Sequence, residues 1–321
     1  MRRSMADLPA AQQLVKNRQS TWQRVARVLR KDRYLYLIFL LPFLYFLVFH
    51  YLPIYGVIIA FKNYKVAFGI WGSKWVGLQY FIEFLSDRYA WKLIRNTMLL
   101  SLYSIVFGFP IPIILALLLN ELRISWFKRA VQTVSYLPHF ISVVVVAGMV
   151  VNFLNSDGLV NRIIVALGGE SFPWLMQPRW FPSIYVISGI WQHAGWSSII
   201  YLAALSAIDP ELYEAATIDG AGRFQQMRHI TLPGIAPTIT ILLILDLGRI
   251  MSVGWEKILL LYTGATYETA DVLQTYIYRR GLEGADFSYA TAVGVFQGLV
   301  GLAFVIGANY LSRRFTDTSL W

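Results

Sequence analysis

Six apolar runs dominate this sequence, and each is long enough to cross a lipid bilayer. A hydrocarbon core of about 30 Å takes roughly 20 apolar residues when each adds 1.5 Å of helix. The runs are approximately Tyr34–Phe61, Asn96–Leu119, Val131–Phe153, Pro182–Leu205, Ala236–Leu261 and Tyr289–Leu311. The expected fold class is therefore an all-α integral membrane protein with six transmembrane helices. With 57% of 321 residues hydrophobic and 14% charged, no soluble domain of useful size fits between the runs.

Charge placement sets the orientation, because Lys and Arg accumulate in cytoplasmic loops. Residues 1–33 hold nine Lys and Arg against Asp7 and Asp32, a net +7. The amino end is expected inside, and six crossings return the carboxyl end to the same side. The other inside segments, 120–130, 207–235 and 312–321, carry +2, −2 and +1, so the inside segments hold +8 of the chain's +10. The basic excess thus reports topology and argues for no nucleic-acid partner, since no compact basic domain carries it. Residues 1–33 contain no apolar stretch of the kind that precedes a cleavage site, so the first run is expected to be a retained anchor. No cysteine is present, which removes disulfides, thiolate metal sites and thiol nucleophiles.

The expected organisation is a basic cytoplasmic segment (1–33), a first transmembrane helix with its external loop (34–90), a main membrane domain (91–311) and a cytoplasmic tail (312–321). Pro42 and Pro53 predict kinks or a broken end in the first run. Trp71 and Trp75, in the polar external stretch 62–90, read as interfacial belt residues or as sugar-stacking groups. The second run contains Gly108, Pro110 and Pro112. The external segment 154–181 has a loop composition with room for one short helix.

Between the fourth and fifth runs lies a polar island, EAATIDGAGRFQQMRHITLPGIAP, from Glu214 to Pro237. Just before it, Asp209 followed by Pro210 is a helix start, an acceptor for free amides preceding a residue preorganised for the first turn. A short helix is expected through Glu211, Glu214 and Ala216. A turn at Asp219–Gly220 follows, because glycine accepts positive φ. A second short helix, Ala221 to His229, is expected to stop near Pro233. Ala215, Ala216 and Ala221 make a small-residue face that could enter a groove on another protein; an ordinary capped loop explains the local physics equally well.

Glu214, Ala215, Ala216, Gly220 and, after nine intervening residues, Ile230, Thr231, Leu232 and Pro233 resemble the EAA signature of permease subunits in binding-protein-dependent ABC importers. Asp219 and Ala221, frequent in the sugar-importer branch, are also present. Leu35–Tyr64 and Arg249–Tyr262 (RIMSVGWEKILLLY) resemble the branch that handles complex polysaccharides and long oligosaccharides, and within it the larger permeases of bacterial alginate importers. The resemblance implies a type I ABC importer permease fold over 91–311 and a coupling loop at 207–235 that docks into a separate ATPase subunit. Glu214, Ala215, Ala216, Asp219, Gly220, Ala221, Leu232 and Pro233 would be its ATPase-coupling residues. It also implies a second permease subunit, two ATPases that bind ATP and Mg, an external solute-binding protein, a saccharide substrate and a bacterial inner-membrane location. The chain has no Gly-Lys pair and so no conventional P-loop of its own.

Polar residues within the runs are candidates for the substrate path. Asp246 and Arg249, three residues apart near the middle of the fifth run, would share a helical face. Charges there are expensive in hydrocarbon and are expected to pair, to line a route, or both. Trp191, Gln192 and His193 combine a flat aromatic with hydroxyl-binding groups, although interhelical hydrogen bonding explains them as well. Asn152 and Asn155 are weaker candidates. The four histidines, His50, His139, His193 and His229, are scattered without metal-ligand spacing, and no hydrolase motif has a sound context. An enzyme is not expected. An ion-coupled secondary transporter using Asp246, Arg249 and Glu256 is the alternative function, but it leaves the polar island unexplained.

Overall fold

A computed structural model describes residues 31–315, so the basic segment 1–30 and the tail 316–321 lie outside the described residues. The described residues divide into two compact units, one ending at residue 58 and the other beginning at residue 59. In the first, helix α1 (Arg33–Phe46) passes through a π-turn at Leu47–Tyr51 and a helical turn at Leu52–Ile54. A 3₁₀ segment, Tyr55–Phe61, then crosses the unit boundary.

The second unit begins with a feature that an all-α expectation omits. A two-residue antiparallel pair, β1 (Lys62–Asn63) on β2 (Lys74–Trp75), is in register Lys62 to Trp75. Ser288 anchors it: its Oγ donates to the Lys62 carbonyl at 2.6 Å and accepts from the Tyr64 amide at 2.9 Å. Then follow α2 (Gln79–Ser86), α3 (Arg88–Tyr103), α4 (Pro110–Glu121), α5 (Ser125–Tyr136), α6 (Val143–Leu154), α7 (Leu159–Ala166), α8 (Phe181–Ser206), α9 (Pro210–Ile218), α10 (Arg223–Gln226), α11 (Leu232–Gly248), α12 (Trp255–Leu261), α13 (Leu273–Tyr278) and α14 (Phe287–Phe315).

Three of the proline-bearing stretches stay continuous, at Pro53 and Pro233 where a break or stop was expected and also at Pro110. In each, a proline stands two residues beyond a π-turn: Pro53 after Leu47–Tyr51, Pro110 after Ser104–Gly108 and Pro233 after Met227–Thr231. A proline ring in an α-helix clashes with the carbonyl four residues back. Here that carbonyl falls inside the widened turn each time, where the local i→i+5 geometry makes room. The segments Arg33–Phe61, Arg88–Glu121 and Arg223–Gly248 consequently run as single helices.

Among the described residues five helices are long and apolar enough to span a membrane, these three together with Val143–Ala166 and Phe287–Arg314. The fourth apolar run forms the 26-residue helix α8, which is long enough but is diluted by Gln192, His193, Ser197 and Ser198. The third run is not one helix. Pro138 ends it in a 3₁₀ turn at Leu137–Phe140, and Ser142 restarts it by capping α6, its Oγ accepting from the Val145 amide at 3.4 Å. The fifth run also divides, between Gly248 and Trp255.

Three buried clusters hold the second unit together. Ala116, Tyr201, Leu205 and Ile235 join α4, α8 and α11. Leu100, Ala147, Tyr185 and Ile258 bring α3, α6, α8 and α12 together. Phe84, Leu93, Met251, Leu273 and Val293 tie α2, α3, α13 and α14 around the end of α11. Packing is closest where α8 crosses α5, since a Cβ on Gly195 would stand 2.0 Å from the Ser135 carbonyl oxygen. Small residues permit such backbone approach between membrane helices.

Candidate functional site: a capped loop and a polar cavity

The loop after α8 folds by local rules. Asp209 caps α9, accepting from the Glu211 amide at 3.0 Å, and Pro210 opens the helix. At the other end Gly220 takes φ +80°. The Ala221 amide donates to the Ala216 carbonyl at 2.8 Å, and the Gly220 amide to Thr217 at 3.1 Å. These two bonds are a Schellman cap, which requires the left-handed residue that glycine supplies. Ala216 and Ala221, expected as part of a docking face, are therefore also the two ends of the cap.

Side chains then brace the turn. Gln226 Nε2 donates to Thr217 Oγ1 at 3.0 Å and to the Ala221 carbonyl at 3.2 Å. Tyr213 and Thr231 share a hydroxyl contact of 3.1 Å. Arg223 pairs with Glu121 at 3.2 Å, linking the loop to the end of α4. Glu214, Ala215, Asp219 and Pro233 are exposed, while Leu232 is half-buried. Ile218 and Phe224 stand out at 86% and 69% exposure, an apolar pair at the tip of a polar loop. The second short helix is Arg223–Gln226, shorter than expected, and Pro233 does not stop it because the π-turn carries it into α11.

The second site is a cavity of about 720 Å³ bordered by α4, α8, α11 and α12. Of the candidates read from sequence, Gln192, His193, Asp246 and Arg249 line it. Trp191 does not; it faces a separate apolar hollow with Phe153, Trp174 and Trp180. Successive helical residues diverge by about 100°, which puts Trp191 and Gln192 on different faces. Asn152 is exposed and borders neither cavity. Asp246 and Arg249 are not paired within one helix: α11 ends at Gly248, Arg249 lies just beyond it, and no ion pair within 4.0 Å joins the two side chains. Both are exposed on the cavity wall.

Other wall residues escaped the sequence reading. Lys257 on α12 is buried, its Nζ donating to the Tyr185 carbonyl at 3.0 Å and to Ser188 Oγ at 3.1 Å. Ser197 and Tyr201 extend the polar stripe along α8. The histidines are less scattered than their spacing suggests. His139 and His193 Nδ1 atoms lie 3.2 Å apart, and His139 stacks on Trp196 with ring centres 4.7 Å apart. Among the described residues, no group of three potential metal ligands forms.

A third polar cluster fastens the segment 262–288. Asp271 is fully buried and accepts both Arg279 guanidinium nitrogens, at 2.8 and 2.7 Å, Thr275 Oγ1 at 2.7 Å, and the Tyr89 hydroxyl. Hydrogen bonding to Asp271 raises the Arg279 pKa above its already high ordinary value. Asn96 Nδ2 donates to the Glu268 and Asp271 carbonyls at 2.9 and 3.0 Å, which locks this segment onto α3.

Comparison with known proteins places the chain in a family. The family model described as "Binding-protein-dependent transport system inner membrane component" matches residues 91–317. The polygalacturonan/rhamnogalacturonan transport system permease protein YteP of Bacillus subtilis (strain 168) is 44% identical over 322 residues, covering 100% of both chains. A chain from the crystal structure of a bacterial ABC transporter for import of the acidic polysaccharide alginate is 46% identical. It superposes with a TM-score of 0.84 over 91% of this chain and 99% of its own. A chain from a bacterial alginate ABC transporter in complex with an alginate pentasaccharide-bound periplasmic protein gives 46% identity and a TM-score of 0.85, over 92% and 100% of the two chains. With the capped EAA loop, the polar cavity and a family match over most of its length, this chain belongs to the inner-membrane permease components of binding-protein-dependent ABC transport systems, with the type I permease fold.

Proposed function

We propose that this chain is one of two permease subunits forming the gated path of an ATP-driven importer, which takes up a poly- or oligosaccharide across a bacterial inner membrane. The observation that carries the reading is the capped loop, a rigid turn presenting Ile218 and Phe224 to solvent beside Glu214 and Ala215. Exposed apolar residues at the tip of an otherwise polar element mark a protein contact. In this reading two ATPase subunits bind ATP and Mg, dock on 207–235 and move α11. An external solute-binding protein delivers the saccharide, and α8 completes a set of six crossings with both termini cytoplasmic. The names of the relatives support an acidic polysaccharide fragment as cargo, alginate or polygalacturonan among them. Uptake follows from rigid-body switching of the packed helices between inward- and outward-facing arrangements.

The test is reconstitution with the neighbouring permease and the ATPases. Ile218→Asp together with Phe224→Asp should release the ATPase subunits in co-purification and abolish ATP-driven saccharide uptake. Uptake that persists at the wild-type rate in this double variant, or that needs no ATPase, would remove the coupling assignment.

A further inference from the structure

The cavity wall carries four charged residues, and one of them is unlike the others. Asp246, Arg249 and Glu256 are exposed on that wall. Lys257 is 6% exposed. Among the described residues no carboxylate lies within 4.0 Å of its ammonium. Two of its three N–H donors are occupied, by the Tyr185 carbonyl and Ser188 Oγ, and its Nζ lies 4.5 Å from the centre of the Tyr185 ring. The surroundings are shaped to this head group, since a Cβ on Gly189 would stand 3.2 Å from Nζ. A buried charge is ordinarily paired, because desolvation is recovered only by an opposite charge with good hydrogen bonds. Here the remaining donor and the missing countercharge belong to one residue on the wall of the cavity.

We propose that Lys257 is the carboxylate-reading group of this cavity, and that the ligand it accepts is an acidic saccharide, a uronate-containing oligomer whose carboxylate takes the third N–H of the ammonium. The proposal rests on the reading of the chain as a saccharide permease and adds the residue that distinguishes acidic from neutral cargo. Exposed Arg249 on the same wall contributes a weaker attraction, since among the described residues its head group is not held by neighbouring acceptors as that of Lys257 is. A charge-assisted hydrogen bond in a partly dehydrated site is the stronger kind, so the discrimination is concentrated at Lys257.

The experiment uses the complete permease–ATPase complex without its binding protein, so that selectivity imposed before the membrane does not enter. Trigalacturonate and the neutral galactose trisaccharide of the same linkage are titrated against it by tryptophan fluorescence or calorimetry. The wild type should prefer the acidic probe by about tenfold or more, the scale expected for one hydrogen bond to a charged group. Lys257→Met should bring the ratio close to one, and Lys257→Arg should keep most of it. If the Met variant fails to assemble, Ser188→Ala, which removes only one of the ligands of Nζ, should change the ratio by about threefold. Equal affinity of the wild type for both probes, or a preference unchanged in Lys257→Met and in Ser188→Ala, overturns the assignment. ATP-driven uptake separates this failure from the underlying one: a complex that imports saccharide without acidic preference loses only the role of Lys257, whereas one that imports no saccharide loses the permease reading itself.

Discussion

Gly220 offers a quantitative test of why the loop between α8 and α11 holds its shape. Its φ of +80° is in the left-handed region, and no atom lies within 4 Å of where its Cβ would be. Any loss caused by a side chain within this chain is therefore conformational and not steric. An L-residue with a Cβ pays about 1–2 kcal/mol for that region, and asparagine tolerates it better than alanine does. Gly220→Ala should consequently lower the population of the capped turn by about fivefold to thirtyfold, while Gly220→Asn loses less. The Ala221 amide, bonded to Ala216 only in the capped turn, reports that population. Hydrogen exchange of a peptide covering 214–226, read by mass spectrometry, should accelerate in the order glycine, asparagine, alanine, valine. If the requirement were for small size against a docked partner, coupled transport would instead follow glycine, alanine, asparagine, valine. Finding alanine milder than asparagine in both exchange and ATP-driven uptake would refute the conformational argument.

Two further outcomes follow from the packing. Gly195→Ala places a methyl group 2.0 Å from the Ser135 carbonyl, a backbone atom that cannot rotate aside, so α5 and α8 must separate. A loss of about 1–3 kcal/mol is expected, seen as a lower melting temperature of the detergent-solubilised complex; an unchanged melt would show that the helices part freely there. Asp271→Asn should free the segment 262–288, with a loss of up to about 3 kcal/mol given that the Arg279 side chain is 24% exposed, and limited proteolysis should cut between 262 and 288. Because the bond raises the guanidinium pKa, its contribution is retained as pH rises toward the ordinary arginine range. Mild alkali should therefore leave the wild-type segment resistant, and cleavage of the wild type on moderate alkaline titration would contradict this assignment.

The parts of this molecule that were legible in its sequence are those whose causes are local. Asp209 with Pro210, and Gly220 after Asp219, set the ends of α9 by contacts within a few residues. Apolar run length located the helices of the first, second and sixth runs for the same reason. The misreadings occurred where a distant neighbour or a compensating local distortion decides. Proline alone suggested a break at Pro53 and a stop near Pro233, but the π-turns before them absorb the ring. The fifth run was apolar enough to read as one helix, although its chain leaves the helix at Arg249 and re-enters at Trp255. Lys257 was invisible as a site because its partners, Tyr185 and Ser188, lie 72 and 69 residues away. His139 and His193, 54 residues apart, meet for reasons that spacing rules do not reach. A charged Glu256–Lys257 pair inside an apolar run was nevertheless a usable signal, and the adjacent Gly254 marked the discontinuity.

The π-turn ahead of Pro233 also has a mechanical meaning. By keeping α10 and α11 in one piece, it makes Arg223–Gly248 a rod of 26 residues, about 39 Å long at 1.5 Å each. One end carries Arg223, in an exposed pair with the Glu121 carboxylate, and the other finishes at Gly248, beside Asp246 and Arg249 on the cavity wall. On an arm of that length a tilt of about 5° sweeps the far tip through roughly 3 Å, more than a hydrogen bond can follow. A helix interrupted at Pro233 would dissipate such a movement in its joint. In the coupling proposed above, the continuous helix would deliver it past Pro237 in its interior, so that a small displacement at the loop resets which polar atoms face the cavity.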